Sequence, residues 1–165
     1  MKLPVGMFPP RRSLQIRQAV LLILPPGTRT KLLRNSQYLQ IPIRAVLNEV
    51  NESIDYAFFI NGGLASVLSV LGNGKSVEGG MTRKEGFVGV PLNADFKTSP
   101  TRVIMQGEGS AFRIAAKDLV EAVKDPLLAK SLQRYSQELA LRASQIAACN
   151  RVHEVDQRLA RWHPR

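Results

Sequence analysis

The chain has 165 residues, 44% of them apolar, enough for one domain of ordinary size with an appendage. Its longest apolar run, Ala19 to Leu24, is closed by Pro25-Pro26 and falls far short of the ~18 residues that span a bilayer. Neither a membrane anchor nor a cleavable signal is indicated. The net charge of +10 gathers at the two ends: residues 1–44 carry eight Lys/Arg and no acid, whereas residues 45–112 carry five basic and seven acidic groups. A basic face for reading DNA is therefore not expected in the middle of the chain. The single cysteine, Cys149, excludes an intrachain disulfide and is consistent with a reducing cytoplasm.

In chain order, residues 1–12 (MKLPVGMFPPRR) read as a basic tail. Ser13 can cap a short helix running to Leu24. Leu32, Leu33 and Tyr38 suggest a further turn beside it. From Leu39 the texture changes to short β-type runs: LQIPIRAVL, YAFFI, LASVLSVL, KSVEGGM, FVGVPL, TRVIMQ and SAFRI. Asn61-Gly62-Gly63 is a turn, and Gly72-Asn73-Gly74 and Gly107-Glu108-Gly109 have the chemistry of hairpins. Short strands punctuated by glycine turns predict a mainly β, antiparallel sandwich or jelly roll with flanking helices.

Ala115 onward turns helical, with Leu119, Ala122 and Val123 on one face. Asp125-Pro126 is a strong start signal, Asp as the cap and Pro in the first helical position. Leu128, Leu132, Tyr135, Leu139, Arg142, Ile146 and Cys149 follow at alternating spacings of four and three. Three such repeats on a helix of ~24 residues, ~36 Å long, exceed what a small sandwich needs as cover. The expected dimer interface is Leu128, Leu132, Tyr135, Leu139, Ala143, Ile146 and Cys149.

The order of parts resembles the Crp/Fnr family of bacterial transcription regulators from about Leu39 to Trp162. IDYAFFINGGLASVL is similar to the family's strand-turn-strand, and GNGKSVEGGMTRKEGFVGVPL to its hairpin and ligand cassette. AACNRVHEVDQRLARW is similar to the end of its long helix. The resemblance implies an eight-stranded, cyclic-nucleotide-binding-like roll (a double-stranded β-helix), a dimerisation helix and a winged helix that reads DNA. The corresponding divisions are 1–38 (basic tail and short helix), 39–114 (roll), 115–149 (helices) and 150–165 (start of a DNA-binding part). Too few residues follow Arg151 for a helix-turn-helix, so this polypeptide is not expected to bind an operator alone.

In cyclic-nucleotide-binding members of the family the cassette reads Gly-Glu-Leu, a short helix, then Arg-Ser-Ala. Glu takes the ribose hydroxyl and Arg the cyclic phosphate. Here those positions read Gly89-Val90-Pro91 and Thr98-Ser99-Pro100. Arg102 lies four residues late. An adenine-contacting Thr-Ser pair on the long helix maps by spacing onto Ala143-Ser144. The candidate ligand residues are therefore Gly89, Val90, Pro91, Thr98, Ser99, Arg102 and Ser144. Two missing charge-assisted contacts, at ~1.5–3 kcal/mol each, weaken cyclic AMP by two to four decades at ~1.4 kcal/mol per decade.

Other chemistry finds little support. Cys149 and His153 share a helix face, but the spacing fits a small seam residue and a solvated one better than zinc ligands. Residues 1–152 contain no His, which removes cupin-type metal sites and a Ser-His-Asp set from the roll. Glu78 and Glu85 read as solvated carboxylates. The basic cluster Arg11, Arg12 and Arg17 reads as a solvated tail. The sequence thus points to a cytoplasmic non-enzyme without cofactor or metal. It is expected to be the effector-sensing, homodimerising part of a regulator, with an unidentified small effector. A stand-alone ligand-binding or scaffold roll that heterodimerises through residues 128–149 is the alternative.

Overall fold

A computed structural model of the chain describes residues 15–152, with side chains to Ala148. Arg11, Arg12, Ser13, His153 and the Cys149 side chain lie outside the described residues. The elements are α1 (Ala19–Ile23), α2 (Pro26–Arg34), β1 (Ser36–Ile41), β2 (Val46–Asn48), β3 (Tyr56–Gly62) and β4 (Ala65–Val70). They continue with β5 (Ser76–Thr82), β6 (Phe87–Val88), a 3-10 helix (Val90–Ala94), β7 (Arg102–Met105), β8 (Gly109–Ala115), α3 (Ala116–Ala122) and α4 (Pro126–Val152). Two four-stranded antiparallel sheets, β1-β8-β3-β6 and β2-β7-β4-β5, form the roll. The mainly β, antiparallel expectation holds.

Apart from β4 and β5, successive strands lie in opposite sheets, and three expectations change. LQIPIRAVL is two strands, β1 and β2, parted by a turn with Arg44 at φ 64°. Gly107-Glu108-Gly109 does not close a hairpin, because β7 and β8 lie in opposite sheets. FVGVPL stops being a strand at Val88, since Gly89 sits at φ 109° and Pro91 has no N–H to give a ladder. Only β4 and β5, joined at Gly72-Asn73-Gly74, pair as sequence neighbours in one sheet.

The first helix also differs. It begins at Ala19, and Gln18 supplies the cap: its side-chain oxygen accepts from Leu21 N–H at 2.7 Å. The Gln18 amide donates to Gly86 O at 2.8 Å, so a buried Gln is satisfied at both ends. Asp125 behaves as expected, its carboxylate accepting from Leu127 N–H at 2.9 Å at the start of α4. The Thr28 hydroxyl at 2.8 Å and these backbone donors hold its pKa below the usual carboxylate value.

β3 reads as an unbroken apolar run because both its faces are buried. Phe58 and Ile60 point between the sheets with Ile41, Val103 and Met105. Ala57 and Phe59 point outward into a second core with Leu21, Leu119, Leu128 and Leu132. In that outer layer Tyr38, Phe112, Phe59 and Phe87 stand directly opposite one another across all four strands. The row continues onto α4, where the Tyr135 ring lies 5.5 Å from Phe87. Cross-strand aromatic pairs add ~0.2–1 kcal/mol each beyond simple burial, so this row fixes both register and the seat of α4.

Candidate effector groove

Gly89 starts the site. At φ 109° it turns the chain off β6, and a side chain there would press on Ala57 at 3.1 Å. The turn launches the 3-10 helix, whose Val90 and Pro91 form one edge of a cavity of about 870 Å³. Thr98, Ser99 and Pro100, leading into β7, form a second edge. The opposing wall is α4, through Ala129, Gln133, Ser136 and Gln137. Val90, Pro91, Thr98 and Ser99 are thus brought together as the sequence suggested, with Gly89 as the turn beneath them.

Arg102 and Ser144 are corrections. Arg102 leaves the groove to pair with Glu49, its Nε lying 2.9 Å from both carboxylate oxygens. That bond holds the Glu49 carboxyl below its ordinary pKa. Ser144 is exposed and donates to Ala140 O at 3.1 Å. It lies eleven residues past Gln133, about 16 Å along the helix. Counting from Pro126 placed the contact too far along, because the groove meets α4 in its first three turns. Gln133, Ser136 and Gln137 were missed, although their i, i+3, i+4 spacing already puts them on one face. Asn51, Asn93 and Phe96 carry no sequence signal of their own.

At the Thr98–Pro100 edge the donors of Ser99 are committed inside the protein. Ser99 N–H donates to Glu52 O at 3.0 Å, and its hydroxyl donates to Thr101 O at 2.6 Å. Pro91 and Pro100 contribute no N–H. The loop from Glu49 to Ile54 causes this closure, since Asn51 N–H in turn bonds Ser99 O at 2.7 Å.

The α4 stripe divides in two. Leu128 and Leu132 are 0% exposed and Tyr135 4%, all against the protomer's own core. No second copy can reach them, which corrects their assignment to a dimer interface. Leu139 is half-buried against the same core, and a side chain at Gly80 would meet it at 3.3 Å. Ala143 and Ile146 are half-buried.

An antiparallel roll of this topology, followed by a long C-terminal helix, has the fold of cyclic-nucleotide-binding-like domains. The solved structures it resembles include regulators of the Crp/Fnr family. The c-di-GMP-responsive global regulator CLP of Xanthomonas campestris superposes with a TM-score of 0.71 at 15% identity, over 83% of this chain and 70% of that one. A Crp/Fnr-family transcriptional regulator from Eubacterium rectale gives 0.74 at 9% identity, over 88% and 69%. The sensor domain of the regulator DNR from Pseudomonas aeruginosa gives 0.60 at 16% identity, over 76% and 86%. At these identities the likeness is one of fold. No protein-family profile matches the chain, and no curated protein matches it in sequence. Among the described residues no helix is long and apolar enough to cross a membrane.

Proposed function

We propose that the chain is the sensing and dimerising part of a Crp/Fnr-type transcription regulator, responding to a small effector other than cyclic AMP. The observation that carries this reading is the groove's two-sided construction. One wall belongs to the roll and the other to α4, so an occupant touches both and biases how the helix sits. Cyclic AMP is disfavoured because a phosphate would meet no cation among the lining residues and a Ser99 whose donors are already committed.

Dimerisation runs through the side of α4 that the core leaves open. Beyond the groove, Ala140, Ser144 and Ala147 are exposed and repeat at spacings of four and three. Ala140→Glu places like charges across that seam without touching the protomer's core. Light scattering after gel filtration should show a dimer for the native chain and a monomer for A140E. Leu128→Ala should instead cost ~2–5 kcal/mol of folding stability without selectively dissociating the dimer. A native monomer, or cyclic AMP binding at micromolar concentration by calorimetry, would sink the reading.

A further inference from the structure

We infer that the groove selects uncharged, flat molecules whose edges hydrogen-bond to amides, and that Phe96 is the surface on which such a molecule stacks. The inference rests on the groove being the effector site, as proposed above, and adds the chemical class of the ligand.

Charge is the first argument. More than a fifth of the chain is Asp, Glu, Lys or Arg, yet none of these lines the groove. The two cations flanking the Thr98–Pro100 edge are placed elsewhere: Lys97 lines the neighbouring cavity, and Arg102 is paired with Glu49. An ion entering this space would lose hydration and find no counter-charge, a penalty a neutral molecule escapes. With Ser99's N–H and hydroxyl both committed, no preformed oxyanion contact remains at that edge.

Shape and polarity supply the second. Phe96 is 65% exposed and borders the groove, which leaves its ring free to be covered by an occupant. Asp95, at φ 61°, turns the chain so that Phe96 stands on a ridge between the groove and a second cavity lined by Leu92 and Val120. The Phe96 N–H is anchored to Pro91 O at 3.1 Å, which ties the ridge to the 3-10 helix. Asn93, Gln133 and Gln137 line the same space, and each side-chain amide offers both a donor and an acceptor. That combination reads the edge of a carboxamide or nucleobase while the ring covers its face.

Matched neutral and anionic probes test this on the full chain. Nicotinamide is compared with nicotinate, and adenosine with cyclic AMP, by following the side-chain amide signals of Asn93, Gln133 and Gln137 in NMR titrations. The neutral member of each pair should shift these signals and the anion should not. Phe96→Ala should weaken the neutral ligand about tenfold, as expected for loss of one stacking face, while Phe96→Tyr retains it. Anions that bind at the same signals as well as their neutral partners overturn the ligand class and leave the effector site standing. If no probe moves the groove signals in the folded protein, both the ligand class and the effector site fall.

Discussion

Tyr135 makes the seating of α4 measurable. Its ring packs on Phe87, and its hydroxyl lies 2.8 Å from the Thr82 hydroxyl, itself 1% exposed. Burial pushes the phenol up to about 12 from its ordinary 10.0. The folded state therefore keeps a proton that the unfolded chain releases, and stability must fall as pH rises between the two values. A gap of about two pH units corresponds to about 2.7 kcal/mol, fully present below about pH 10 and gone near pH 12. Tyr135→Phe keeps the ring and removes the titration. It should cost ~1–3 kcal/mol at neutral pH, because the buried Thr82 hydroxyl loses its partner. Urea unfolding of both proteins from neutral to strongly alkaline pH gives the comparison, since the other ionising groups are common to the two. The stabilities should converge as pH climbs through about 10 to 12. Curves that run parallel throughout, or a Tyr135 phenolate appearing at its ordinary pKa, would refute a buried, neutral anchor.

Other expectations follow from the same contacts. Gly86→Ala puts a methyl group inside the Tyr135 ring, which Phe87 and Thr82 prevent from moving away. Its cost should reach the upper end of the ~1–3 kcal/mol typical of overpacking, read as a lower urea midpoint. Glu49 titrates below its ordinary value because Arg102 donates to it, so its contribution is present above that value and lost as pH falls through the depressed one. Glu49→Gln should flatten the acid limb of the stability profile by a small amount, since the pair is partly exposed. A steeper acid limb in E49Q than in the native chain would contradict the pairing.

The roll was legible in sequence because its signals are local. Glycine turns, the continuous β3 run YAFFI and the Asp125-Pro126 start each carry their own physical cause. What was not legible depends on which surfaces meet. The Leu128-Leu132-Tyr135 spacing marks an apolar face and cannot say whether a sheet or a second helix covers it. Here Phe59 and Phe87 cover it, from strands that lie far away in sequence. Arg102 was ambiguous in the same way, since its partner Glu49 is 53 residues distant. The groove was half visible, in the roll edge that carries a Gly-Pro turn and Thr98-Ser99. Its helical wall depended on where α4 crosses the cassette, which spacing from Pro126 alone did not fix.

The division of α4 bears on how any occupant of the groove could act. Across its first three turns the helix is clamped by Leu128, Leu132 and Tyr135 on one side while Gln133, Ser136 and Gln137 face the groove on another. A ligand therefore pushes on a part of the helix whose opposite face is seated in a close-packed core, where small displacements are resisted. Past Leu139 the hold loosens: Arg142 reaches Glu85 only at 3.8 Å, and Ala140, Leu141 and Ser144 are exposed. On the proposed reading, a change at the groove would reach the distal, loosely held part of the helix through a tilt of the clamped turns. On that reading the tilt needs Tyr135 seated, so loss of its anchor at alkaline pH would also uncouple the groove from the proposed seam.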